Sequence, residues 1–269
     1  MTPTVNNRFC VFTSAGDRHS VDHWLSPQPR GEWDLITAYY GSDDREFARL
    51  AAHSAHAFRS KGSKFQNLKR ALAIEPAFLE RYDFVWVVDD DLIMNSDQIS
   101  KMFLIAEQFG FWVCQPAFAD SGKISHQITR QQTKDCIRIV NFVEVTCPLF
   151  QRDKLEAFMR VYDGSLTGWG IDFWFANILD ARRKARFAVV DRVVVVNRKD
   201  EDKSGQFREI DLLQPARERQ SQWHALRDRY GLEQWFQETL LGPVLADFSK
   251  QSRASALNSG DSKCYRRCA

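Results

Sequence analysis

The chain has 269 residues, 44% of them hydrophobic, enough to bury a sizeable core and compatible with one α/β domain. Thirty-seven Lys and Arg against 35 Asp and Glu leave a formal charge of +2, which argues against a general polyanion-binding surface, though not against a local basic patch, and disfavours nucleic acid as a partner. No stretch reaches the roughly 18 apolar residues of a transmembrane segment, and the opening "MTPTVNNRFCVFTSAGDRHS" lacks a basic run followed by an apolar core, so a soluble, cytoplasmic protein is expected.

"RFCVFT" (Arg8 to Thr13) and "WDLITAYYG" (Trp33 to Gly41) read as strands. Ser14, Gly16, Asp17 and Arg18 follow the first, where contacts to a base, ribose or phosphate are expected; the plainer alternative is a polar turn. "DREFARLAAHSAHAF" (Asp44 to Phe58) has helical spacing, and "KFQNLKRALAIEPAFLERY" continues as helix with an interruption near Pro76. Lys61, Lys64 and Lys69 either contact a diphosphate or form a solvated helix face.

"FVWVVDDDL" (Phe84 to Leu92) sets three carboxylates after five apolar residues. Strand alternation puts Asp89 and Asp91 on one side and Asp90 on the other. Clustered carboxylate oxygens suit a hard cation such as Mg²⁺ or Mn²⁺ bridging to a phosphorylated ligand. An acidic loop capping the next helix accounts for one or two of these residues but not for three abutting a buried strand. Two chemistries use such a strand end: a haloacid-dehalogenase-like phosphatase, with the first Asp as nucleophile, and a nucleotide-sugar glycosyltransferase. The phosphatase motif normally lies on the first strand, and here at least two strands precede it.

Ser96 caps a helix with a buried stripe of Ile99, Phe103, Leu104 and Ile105, ended by Gly110. "FWVCQPAF" and "IRIVNFVEVTCPLF" read as buried strands, and Glu144 inside the second needs a partner. His126 lies between the two acidic motifs, whereas His19, His23, His53, His56 and His224 show no metal-ligand spacing. A helix from about Asp153 to Val161 precedes "GWGIDFWF" (Gly168 to Phe175), where Trp169 offers a flat face to a sugar ring and Asp172 can take a proton from an acceptor hydroxyl. A tight turn with core aromatics is the competing reading of that motif. "FAVVDRVVVVN" is a strand pair or one interrupted strand, and residues from Asp211 to about Phe248 read as helical. The repeated strand–helix order means α/β with a largely parallel sheet over residues 1–248, and the polar tail 249–269 reads as disordered. Cys10, Cys114, Cys136 and Cys147 read as reduced core thiols; Cys264 and Cys268 lie in the tail.

Together "YDFVWVVDDDL", "CQPAF", "NFVEVTCPLF" and "GWGIDFWF" resemble, from Phe9 to Asn197, an uncharacterised domain family grouped with the GT-A-type glycosyltransferases. The resemblance implies a Rossmann-like half binding a nucleotide sugar, a metal-binding D-x-D at Asp89 and Asp91, and an acceptor side reached by the later motif. Two departures stand out: Asp172 is followed by Phe173 where many members of the wider fold have a second acid, and Asn197 stands where many place a metal-ligand His.

The reading is a metal-dependent glycosyltransferase that moves a sugar, hexosyl or related, from a nucleoside diphosphate donor to a glycan or other hydroxyl acceptor. Mn²⁺ or Mg²⁺ would be held by Asp89, Asp91 and, more weakly, Asn197. Ser14, Gly16, Asp17, Arg18, Asp90 and Trp169 would contact the donor, with Asp172 as first and Glu144 as second choice of base. The alternatives are a non-catalytic nucleotide-sugar or glycan-binding protein of the same fold and, third, the phosphatase.

Overall fold

The computed structural model describes residues 7–29, 31–132, 136–200, 209–234 and 240–245. The first half contains β1 (Phe9–Ala15), α1 (Val21–Trp24), β2 (Asp34–Tyr39), α2 (Asp44–His53), β3 (His56–Arg59), α3 (Lys64–Ile74), β4 (Phe84–Asp89), β5 (Leu92–Ile93), α4 (Ser96–Phe109) and β6 (Val113–Phe118). The second contains β7 (Cys136–Val140), β8 (Leu149–Gln151), α5 (Arg152–Val161), α6 (Ile171–Ile178), α7 (Ala181–Lys184), β9 (Phe187–Asn197), α8 (Glu209–Leu213), α9 (Ala216–Tyr230) and β10 (Leu240–Leu245). This is the α/β architecture expected, and none of the described helices is long and apolar enough to cross a membrane.

One sheet has the order β10-β7-β9-β6-β8-β4-β1-β2-β3, and β5 pairs with β9 beside it. β4, β1, β2 and β3 are mutually parallel, the Rossmann-like half. Beyond β4 the sheet is mixed: β8 is antiparallel to β4 and β6, β9 is parallel to β6, and β7 and β10 are antiparallel additions. Both faces are covered. Val85 and Val87 face a core built with α3, α5, α6 and α9, while Phe84, Trp86 and Val88 face one built with α1 and α4. Two covered faces explain why β4 reads as an unbroken apolar run.

Several boundaries differ from the sequence reading. The helix expected through Phe58 stops at His53, because Ser54 turns extended and its hydroxyl bonds back to the Leu50 carbonyl; residues 56–59 then extend the parallel sheet as β3. Asn95, not Ser96, caps α4 through a reciprocal bond pair with Gln98, and Leu104 is exposed while Met102 and Ala106 complete the stripe. "FAVVDRVVVVN" is one strand with a register shift where Pro116 pairs Val190 and Ala117 pairs Val194. Residues 141–148 are irregular rather than strand, so Glu144 leaves the sheet. Residues 240–245 form a strand on β7, where helix was expected, because α9 ends at the left-handed Gly231. Trp235, Phe236, Cys264, Cys268 and the 249–269 tail lie outside the described residues. Cys10, Cys114, Cys136 and Cys147 are buried free thiols, as expected.

A buried ion pair organises the β7–β9 end. Arg138 on β7 grips Asp191, in the irregular stretch of β9, through Nε at 2.7 Å and Nη2 at 2.9 Å. Its remaining donors reach the carbonyls of Ile128 (2.6 Å) and Arg130 (2.9 Å), fastening the preceding loop to the sheet. Asp191 is fully buried. Replacing Arg138 by Met therefore strands a buried carboxylate, and denaturant unfolding should show a loss of about 3–5 kcal/mol.

Candidate functional site

A cavity of about 420 Å³ opens at the carboxyl ends of β1 and β4, where ligands bind in open α/β sheets. The loops after β1, β2 and β4 line it together with residues 123–126, 144–146 and 167–173, the amide of Asn197, and Arg219 from α9. Ser14, Gly16, Asp17, Arg18, Asp89, Asp90, Asp91, Glu144, Trp169, Asp172 and Asn197 all lie on this wall.

The three adjacent aspartates have different partners. Asp89 ends β4, and its Oδ1 accepts from Lys64 Nζ at 2.6 Å. Lys64, only 6% exposed, also donates to the Thr146 carbonyl at 2.7 Å, and the Asp89 amide reaches the same carbonyl at 2.9 Å. Asp90 begins the turn, and its Oδ2 accepts from the Gly16 amide (3.0 Å) and the Tyr40 hydroxyl (3.1 Å). Desolvation, reinforced by Asp91 and Asp89, pushes its carboxyl up to about 7, against the pull of the Gly16 and Tyr40 bonds. Asp91 precedes β5, whose Leu92 pairs with Asn197, so a two-residue strand brings Asn197 beside the acidic turn.

Residues that could hold a metal here, Asp89, Asp91 and Asn197, would offer it only oxygen. Among the described residues no three His, Cys, Asp or Glu side chains converge as a metal site. Such a set fits a Mg²⁺-like ion that takes one or two carboxylates and fills its shell with water and substrate phosphate oxygens.

The loops after β1 and β2 are fastened to one another. Asp17 accepts from the Tyr39 hydroxyl, from the Ser42 amide (2.9 Å) and hydroxyl (3.1 Å), and from the Asp43 amide (3.0 Å). These bonds, led by Tyr39, hold its carboxyl below the usual range. Ser14 Oγ accepts from Asn67, which also bonds the Ser60 and Gly62 carbonyls. Asp17 and Ser14 thus shape the cavity wall as much as they face it. Lys69 turns away, donating to the Met159 carbonyl, and neither it nor Lys61 reaches the cavity.

The opposite wall comes from the "GWG" turn. Gly170 has φ +87°, and a Cβ there would lie 2.3 Å from the Trp223 ring, so only glycine fits. The turn leaves Trp169 47% exposed on the cavity rim and starts α6 with Asp172 as its second residue. Asp172 is 6% exposed; Oδ1 accepts from the Phe173 amide at 3.0 Å and Oδ2 from the Val145 amide at 3.4 Å. Burial raises it to about 6, with Glu144 adding to the rise and His126 and the two amides opposing it. Glu144 is 5% exposed and also lies above the usual carboxylate range, again because of burial. Its Oε1 accepts from the Thr146 hydroxyl at 2.7 Å, whereas Oε2 is buried with no hydrogen-bond partner. The His126 ring sits 4.6 Å from that of Phe142 and balances both acids.

Residues that sequence reasoning passed over are Tyr40, Gln115, Thr146 and Arg219. Tyr40, Gln115 and Thr146 act through contacts between segments far apart in the chain, and Arg219 is held by Ile210, Asp211 and Gln214 nearby. Lys64, which the sequence offered as a diphosphate contact or part of a solvated helix face, instead faces Asp89.

No curated protein matches the sequence. Among solved structures, the crystal structure of S. aureus TarS 1-349 superposes with a TM-score of 0.53 at 13% identity, covering 83% of this chain and 74% of that one. GalNAc-T7 with UDP, GalNAc and Mn²⁺ gives 0.52 at 11% identity over 72% of this chain, which spans 44% of that one. A mycobacterial protein gives 0.51 at 17% identity, covering 85% and 76%. At such identities the likeness establishes the fold alone, and that fold is GT-A-like. A family model matches residues 4–139, which include the acidic turn and make up just over half of the 269 residues, and on that match the chain belongs to the family described as "Protein of unknown function (DUF707)".

Proposed function

We propose that the protein is a metal-dependent glycosyltransferase that moves a sugar from a nucleoside diphosphate to a hydroxyl acceptor. One observation supports the reading: Asp89, Asp91 and Asn197 line the same cavity as the buried Asp172 and the exposed Trp169. TarS has been crystallised with UDP and with UDP-GlcNAc, and GalNAc-T7 with UDP and Mn²⁺, which supports the same donor class here.

Asp89, Asp91 and Asn197 would hold Mn²⁺ or Mg²⁺, which when bound neutralises charge developing on the leaving diphosphate. Lys64 keeps Asp89 in place from below. Gly16, Arg18 and Asp90 line the nucleotide side, with Ser14 and Asp17 supporting the loop. Trp169 offers its face to a sugar ring. Asp172 accepts the proton from the attacking hydroxyl, and a value near 6 suits a base at neutral pH. A non-catalytic binding protein would have the same cavity, and turnover separates the two.

Calorimetric titration with UDP should show strong binding with Mn²⁺ that chelation removes. Asp91→Asn, which leaves the Lys64–Asp89 pair intact, should abolish the metal-dependent part, as should Asp89→Asn. UDP affinity indifferent to chelator would refute the metal role.

Asp172→Asn should leave metal and donor binding intact while lowering transfer or donor hydrolysis by roughly a hundredfold. In the parent, turnover should rise with pH through about 6 as Asp172 ionises. Donor binding without turnover across a panel of sugars and acceptors would identify a binding protein instead.

Stability gives an independent reading of Asp172. Its folded value of about 6 lies above the unfolded value of about 3.9, so its contribution is fully present below about pH 4 and is lost as pH rises through 6. In urea unfolding Asp172→Asn should therefore be more stable than the parent at pH 8, and the advantage should vanish on acidification towards pH 4.

A further inference from the structure

The geometry points to Glu144 as the residue that recognises the transferred sugar, through a hydrogen bond between its unpaired Oε2 and a ring hydroxyl. The inference rests on the donor reading above and deepens it.

Glu144 is held firmly. Its amide donates to Gln115 Oε1 at 2.6 Å, and Gln115 is itself fully buried on β6; Oε1 is taken by the Thr146 hydroxyl. With one oxygen used and the backbone clamped, Oε2 cannot swing out to water. Glu144 lines the cavity beside Ser125, whose hydroxyl pulls its carboxyl down, and Oε2 is buried with no hydrogen-bond partner. Buried polar atoms are nearly always satisfied, and leaving a carboxylate oxygen bare is costly. A ligand group that donates a hydrogen bond removes that cost.

Position identifies the group. Two residues after Glu144, the Thr146 carbonyl takes both the Asp89 amide and Lys64 Nζ, which anchors this segment to the diphosphate end. One residue after it, the Val145 amide faces Asp172, the base. Glu144 thus stands between the place for the diphosphate and the place where the acceptor is deprotonated. In a nucleoside diphosphate sugar, the moiety that lies between those two points is the sugar being moved. A pyranose presents hydroxyls as donors there, and Trp169 on the rim can cover its apolar face.

The test compares UDP with UDP-glucose, UDP-galactose and UDP-GlcNAc, each with Mn²⁺ and without acceptor, on the parent and on Glu144→Gln. With the glutamine oxygen kept on Thr146, its NH₂ meets the sugar where an acceptor stood. The affinity for the preferred UDP-sugar should fall roughly ten- to a hundredfold while UDP affinity stays within about twofold, which also shows the variant site to be folded. Deoxy analogues of that sugar locate the hydroxyl: the analogue lacking it should bind the parent weakly and be insensitive to Glu144→Gln. Equal loss for UDP and UDP-sugar, or no loss for either, would overturn the assignment while leaving the donor reading intact. Failure of every nucleoside diphosphate to bind the parent would remove the donor reading itself, and this inference with it.

Discussion

The site depends on one buried ammonium. Lys64 joins three pieces of the molecule: the start of α3, the end of β4 through Asp89, and the irregular segment 141–148 through the Thr146 carbonyl. A charge this buried is tolerable only when paired and hydrogen-bonded, and both conditions are met here. Because Asp89 shares its negative charge with Lys64, repulsion among the three consecutive carboxylates at this strand end is reduced. The same contact sets where Glu144 lies, since Thr146 is two residues away in a segment with no regular structure of its own.

Electrostatic compensation is local throughout. Asp90 gives its oxygen to Gly16 and Tyr40, tying the acidic turn to the loops after β1 and β2. Asp17 does the same for those two loops with Tyr39, Ser42 and Asp43. On the far side, Arg138 and Asp191 fasten the loop that follows His126. Each cavity wall is therefore positioned by polar contacts made before any ligand arrives, the preorganisation on which binding and catalysis both draw. Glu144 Oε2 is the exception among these acids, and an unsatisfied atom in an otherwise satisfied wall is a strong local pointer to a ligand.

Likeness of fold and likeness of function carry different weight here. GT-A-like architecture at 11–17% identity places the cavity and its strand ends, but function is a property of the side chains that line it. Those side chains differ between the two halves. Residues 4–139, the family match, carry the acidic turn and the loops after β1 and β2, while Glu144, Trp169, Asp172 and Asn197 lie beyond it. The family match thus covers one wall of the cavity, and the opposite wall lies outside it.

The sequence by itself determined the alternation of strands and helices, the doubly buried β4, the acidic turn and the glycine-bounded Trp169 loop, because each is written in local periodicity or in residues with narrow conformational demands. The glycines of that loop mark a tight turn on sequence alone, while the Trp223 ring that leaves no room for a Cβ at Gly170 is supplied by the fold. Tertiary structure alone decided that residues 56–59 and 240–245 would be strands, since both complete hydrogen-bond ladders supplied by distant partners. It alone took Glu144 out of the sheet, set Lys64 against Asp89, and brought Asn197 beside Asp91 through a two-residue strand. Periodicity reports which face of an element is buried, but it carries no record of which distant charge or backbone group will meet a side chain there. That pairing is set by the path of the folded chain.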